Sequence, residues 1–304
     1  MNTVLKIRNL EKRYRNFKVL KNLNMNIEKG SIYGLIGKNG AGKTTLIRII
    51  CGLQEPSEGT YSIYGESNKN GNIESVRCRM GAIIEAPSIY SEMNAKDNLI
   101  EQYKLVGIPN LNSIDELLKL VGLENTQKKK VKNFSLGMKQ RLGIAMSLAG
   151  NPDFLILDEP INGLDPEGII EIRELILKLN KEKRITILIS SHYLDELSKI
   201  ATHYGFLDNG SIIKEISSEE LMKKMEQKIQ LKVNNVKKVA TYLEEKQFSY
   251  EVIDKNTINV YGKINLPKFI NELSKNNLTP EDIHQSEESL ENYYMNLIGG
   301  DNND

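Results

Sequence analysis

Eight successive residues, Gly37-Lys38-Asn39-Gly40-Ala41-Gly42-Lys43-Thr44, match the pattern G-x-x-x-x-G-K-[ST]. Glycines at this spacing let the backbone turn tightly and aim its N–H groups at phosphate oxygens. A helix opening at Lys43 adds the partial positive charge of its N-terminus. The Lys43 ammonium can reach the β- and γ-phosphates, the Thr44 hydroxyl can ligate Mg²⁺, and the backbone through Thr45 completes the cradle. A site of this kind needs a second carboxylate for the metal. Leu155-Ile156-Leu157 runs into Asp158-Glu159, which supplies it. Asp158 would bind Mg²⁺, and Glu159 would act as general base on an attacking water. The chemistry expected is hydrolysis of a nucleoside triphosphate, with Lys43 and Glu159 as catalytic groups.

Those side chains need rigid supports. Ser31–Ile36 reads as a short apolar strand feeding the glycine-rich turn, and Lys43–Leu53 reads as the helix after it. Asp153–Leu157 and Arg184–Ile189 are continuous apolar runs, the mark of strands buried on both faces. Val4–Leu10 and Val19–Ile27 read as further strands. Helices are expected over Asn98–Val106, Asp115–Val121, Glu167–Leu179 and Tyr193–Ile200. Strands alternating with helices imply an α/β fold with a mainly parallel sheet, whose ligands bind at the carboxyl ends of the strands. The pattern changes near Glu219, after a helix start at Ser217–Glu220. Residues 1–218 are expected to form the nucleotide-binding domain, which the resemblance described below makes an ATP-binding domain. Residues 219–304 are expected to form an accessory α+β domain of β-α-β-β-α order, ending in a helix over Ser289–Ile298 and a disordered tail, Gly299–Asp304.

Composition narrows the class. The 304 residues carry 41 Lys+Arg against 40 Asp+Glu, a net charge of +1, with 39% hydrophobic residues. That balance excludes a disordered chain and argues against broad electrostatic binding of nucleic acid. Cys51 and Cys78 are the only cysteines, and no metal-ligand spacing joins them to the three histidines. A reducing compartment is expected. No apolar run reaches the ~18 residues of a membrane span. A cytoplasmic chain is expected, with any membrane role depending on a partner.

Three further motifs carry a family resemblance. Phe134-Ser135-Leu136-Gly137-Met138-Lys139-Gln140-Arg141 resembles the signature motif of ABC-type ATPases. Asp158-Glu159-Pro160-Ile161-Asn162-Gly163-Leu164-Asp165-Pro166 resembles their Walker B and D-loop run, and Ser191-His192 their switch histidine. The resemblance covers about residues 3–215. In detail it resembles the ATP-binding subunits of the bacitracin and lantibiotic transporter branch.

The resemblance implies a homodimer that sandwiches ATP, the phosphate loop of one subunit facing Ser135 and Gly137 of the other. It implies that His192 contacts the γ-phosphate and that Asp165 lies at the dimer contact. Tyr14 matches the aromatic that stacks on adenine, with Phe17 its rival. Glu85 stands where most members carry a glutamine, and the resemblance implies contact with Mg²⁺ or the attacking water. Leu136 and Met138 also depart from the usual signature. Ala86–Asn98 corresponds to the groove that receives a coupling helix, so the integral-membrane permease is expected to dock near Glu85–Asn98. The chain is thus expected on the inner face of the cell membrane, driving export of antimicrobial peptides or resistance to them. The rival expectation is a nucleotide-dependent regulatory protein without transport.

Overall fold

The structure is a computed structural model that describes residues 2–224, 228–262, 264–286 and 290–299. The chain divides into two compact units, Met1–Ser218 and Glu219–Asp304.

The first unit opens with two long strands, β1 (Thr3–Tyr14) and β2 (Phe17–Glu28), then β3 (Ile32–Ile36) and α1 (Lys43–Ile50). There follow β4 (Glu58–Ile63), β5 (Glu66–Ser67), α2 (Ile73–Arg77) and β6 (Met80–Ile83). A helical stretch holds α3 (Ala95–Leu105), α4 (Ile114–Leu120) and α5 (Leu136–Ser147). Then come β7 (Phe154–Asp158), α6 (Pro166–Lys183), β8 (Thr186–Ser191), α7 (Leu194–Ser198), β9 (His203–Asp208) and β10 (Ser211–Ser217).

Six strands form the central sheet in the order β10-β9-β3-β8-β7-β6. Its β9, β3, β8, β7 and β6 run parallel, and β10 returns antiparallel on the edge. Every residue of β3, β7 and β8 is buried, so each apolar run is covered on both faces. Strand order reverses around β3, whose carboxyl end therefore opens into a crevice where a ligand can sit. A second, antiparallel sheet, β2-β1-β4-β5, flanks the first. One core cluster joins Leu46, Ile47 and Ile50 of α1 to Leu35, Ile156 and Leu188 of the central strands. Side chains of this kind stabilise by about 1.5–3 kcal/mol each on full burial. That packing fixes the start of α1 against the sheet. The helix stops at Ile50, three residues before the expected end, because Gly52 takes φ +77 and the Arg77 guanidinium fills the space where a Cβ would stand.

At the boundary lies α8 (Ser218–Lys224); it starts directly on the residue that follows β10. The second unit runs β11 (Lys228–Lys232), α9 (Val236–Glu245), β12 (Ser249–Val252), β13 (Thr257–Tyr261), α10 (Leu266–Lys275), β14 (Asp282–Ser286) and α11 (Leu290–Gly299). Its sheet order is β12-β13-β11-β14 with every neighbour antiparallel. This is the split β-α-β arrangement. Ile229, Leu231, Ile258 and Val260 pack with Val239 and Leu243 of α9 and with Phe269 and Leu273 of α10. A hairpin turning at Asp254–Asn256 joins β12 to β13, in keeping with the expected β-α-β-β-α order, whereas β14 adds a strand to that order. Gly299 belongs to α11 and not to a disordered tail; 300–304 lie outside the described residues, as does Ser289.

Candidate active site

The phosphate loop joins the end of β3 to α1. Gly37 admits no side chain, since a Cβ there would stand 2.6 Å from the Leu207 carbonyl oxygen. Gly42 caps α1 in the left-handed region at φ +112, with Leu20 2.8 Å from the place of a Cβ. The loop therefore turns back on itself only with glycine at both positions. It lines a cavity of about 350 Å³ together with Phe17, Val19 and Glu159. Lys38, Asn39, Gly40, Gly42, Lys43, Thr44 and Thr45 are on its wall, and Ala41 is buried beneath.

Lys43 is 6% exposed and folds back over the loop. Its Nζ donates to the Gly37 carbonyl at 2.6 Å and lies 3.2 Å from Glu159 Oε1. The other carboxylate oxygen of Glu159 is 2.8 Å from His192 Nδ1. Glu159 leaves β7 in a left-handed conformation, φ +49, and its N–H donates to the Ser190 hydroxyl at 3.0 Å. The same hydroxyl donates to Asp158 Oδ1 at 2.5 Å. Asp158 is 1% exposed, and its Oδ2 has no hydrogen-bond partner among the described residues. A buried carboxylate oxygen left unpaired is costly unless a cation meets it, so the donor set fits Mg²⁺.

The structure thus brings together Lys43, Thr44, Thr45, Glu159 and His192, with Asp158 beneath them. It does not bring Glu85 to the same wall. Glu85, at φ +63 beyond β6, is paired with Arg48 Nη2 at 2.6 Å. Its carboxylate is occupied by a guanidinium. Tyr14 pairs with Phe17 across the β1–β2 turn; the Tyr14 hydroxyl bonds Gln54, while Phe17 is the ring on the cavity wall.

Ser135 and Asp165 are N-caps. The Ser135 hydroxyl accepts from the Met138 N–H at 3.2 Å at the head of α5, and Asp165 Oδ1 accepts from the Gly168 N–H at 3.2 Å at the head of α6. A Cβ on Gly137 would stand 3.7 Å from the Gly168 Cα, so the two helix starts lie side by side. None of these three residues lines the phosphate cavity of its own chain. Ser190 and Arg48 were missed from the sequence. The signal for Ser190 was a pair of hydroxyls closing an apolar strand two residues before His192. The signal for Arg48 was its place one helical turn after Thr44.

A phosphate loop at the head of α1, a buried aspartate at the end of β7 and a glutamate held between lysine and histidine define a P-loop ATPase. The ABC transporter family model matches residues 20–162. The bacitracin transport ATP-binding protein BcrA of Bacillus licheniformis is 43% identical over 99% of both chains. The lantibiotic transport ATP-binding protein SrtF of Streptococcus pyogenes is 46% identical over 70% of this chain and 90% of its own length. The ATP-binding cassette MJ0796, solved as a dimer in a post-hydrolysis state with ADP and Pi, is 26% identical with a TM-score of 0.62, covering 70% of this chain and 98% of that one. The chain belongs to the ABC transporter family as an ATP-binding, ATP-hydrolysing subunit.

Proposed function

We propose that this chain powers a separate membrane permease in the export of, or resistance to, antimicrobial peptides of the bacitracin or lantibiotic type. The observation that carries the reading is the 43% identity to a bacitracin transport subunit, collinear over 99% of both chains and so including residues 219–304.

The geometry supports the following mechanism. The triphosphate enters the cavity at the phosphate loop, whose N–H groups and helix dipole meet its charge. Lys43 leaves Glu159 for the β- and γ-phosphates. Asp158 Oδ2 and the Thr44 hydroxyl would hold Mg²⁺, which when bound neutralises charge developing on the phosphates. Glu159, released from Lys43, takes a proton from the attacking water, and His192 keeps its carboxylate aimed. Tyr14 stacks on adenine beside Phe17.

Two copies of the chain sandwich ATP as a homodimer. The paired starts of α5 and α6 offer Ser135, Gly137 and Asp165 to the ATP held by the other copy, so closure depends on nucleotide. The permease docks near Glu85–Asn98, where Tyr90 is exposed. Among the described residues no helix is long and apolar enough to cross a membrane. The chain works from the inner face of the cell membrane through its permease partner.

The test is a susceptibility panel on cells lacking this gene, complemented with wild type or Lys43→Ala and challenged with bacitracin, lantibiotics and unrelated drugs. Protection by wild type alone against one peptide class supports the reading and names the cargo. No difference across the panel removes the peptide role.

A further inference from the structure

Arg48 stands on α1 four residues after Thr44, so both leave the same face of the helix. Its Nη2 donates to Glu85 Oε1 at 2.6 Å. Glu85 lies two residues beyond β6. The parallel register pairs Ile83 with Leu157, so β6 and β7 end side by side at the carboxyl edge of the sheet. Adjacent strand ends thus deliver Asp158, Glu159 and Glu85 to one edge of the sheet, where a triphosphate must also be received. Asp158 turns to Ser190, Glu159 to Lys43 and His192, and Glu85 to Arg48. Each carboxylate has its own partner.

We infer that Arg48 is a positioning residue for the nucleotide site, neutralising Glu85 and holding it off the bound ATP. The pair then presents no net charge at this strand end. Its two side chains are 38% and 64% exposed, and ion pairs that open to water contribute little to folding. The pair therefore acts on the nucleotide more than on the fold. When Arg48 is lost, the Glu85 carboxylate is free to turn along the sheet edge toward the phosphates, and like charges repel through a site that water screens only in part. The inference rests on the nucleotide site described above.

The test measures binding of a fluorescent ATP analogue to the full-length chain in EDTA, and then hydrolysis at varied Mg²⁺. Arg48→Met keeps the apolar stem and removes the charge; it is made in the wild-type and the Glu85→Gln backgrounds. We expect Arg48→Met to raise Kd roughly five-fold in the first background and less than about two-fold in the second. The gap should shrink as KCl is raised, because screening weakens the repulsion. Arg48→Lys, a cation of similar reach, should recover most of the loss. An equal loss in both backgrounds overturns the inference, because Arg48 would then act on the phosphates directly. No loss in either background overturns it as well. Melting curves identify a variant that has simply failed to fold, and Arg48→Lys then carries the comparison. Failure of the wild-type chain to bind the analogue would instead count against the nucleotide site.

Discussion

Lys43 Nζ and Glu159 Oε1 stand 3.2 Å apart across the mouth of the phosphate loop, both side chains largely shielded from water. In this arrangement the lysine neutralises the carboxylate that the mechanism needs as a base. A triphosphate brings more negative charge than Glu159 and draws the ammonium away. On the mechanism proposed above, arrival of ATP thereby frees Glu159 to act as base on the attacking water.

Glu159→Gln should separate binding from chemistry. The amide keeps the shape and can still meet His192, but it takes no proton. ATP binding is expected to persist while hydrolysis falls at least about 10²-fold. Gel filtration with MgATP should then show a trapped dimer. A variant that elutes only as monomer would count heavily against the sandwich.

Asp158→Asn removes the buried charge that Mg²⁺ would meet, leaving the bond to Ser190 replaceable by the amide oxygen. The Mg²⁺ concentration for half-maximal hydrolysis should rise by roughly ten-fold or more. Wild type should lose hydrolysis in EDTA and regain it on adding Mg²⁺. An unshifted Mg²⁺ midpoint in the variant would remove Asp158 from the metal site.

Tyr14→Ala should weaken ATP binding by about five- to a hundred-fold, the range of base stacking on an aromatic ring, and leave inorganic triphosphate binding unchanged. Tyr14→Phe keeps the ring and loses only the bond to Gln54, so it should bind ATP nearly as wild type. If Phe17→Ala shows the loss instead, the stacking ring is the one on the cavity wall.

Gly81→Ala should destabilise the first unit by about 1–3 kcal/mol. Gly81 is buried in β6, and a Cβ there would stand 2.2 Å from the Ser147 carbonyl oxygen at the end of α5. The added methyl must push β6 and α5 apart. Thermal melts of the full chain read the effect, and an unchanged Tm would mean that α5 yields freely.

Much of this was legible in the residues, and the exceptions have reasons. β3, β7 and β8 are unbroken apolar runs, so their burial could be read directly. β6 was missed because it is only four residues, MGAI, with glycine second. β14 was missed because DIHQS is polar apart from one isoleucine; it is an edge strand whose place is set by β11. The phosphate loop and the Asp158-Glu159 pair were legible because each is contiguous. Ser190 and Arg48 were not, since their partners Asp158 and Glu85 lie 32 and 37 residues away and only the sheet brings them together.

The place of β3 in the central sheet bears on how the chain is made. It lies between β8 and β9, so its neighbours are strands that begin at Thr186 and His203, more than 150 residues later. On a ribosome adding ~5–20 residues per second, about ten to thirty seconds separate synthesis of Ile36 from that of Asp208. For that interval the nascent phosphate loop hangs from an apolar strand with no permanent neighbour on either side. Such long-range pairing is slow to form and exposed to aggregation. The phosphate loop is thus made early and enclosed late, and the nascent chain is most in need of chaperone cover over Ile32–Ile36.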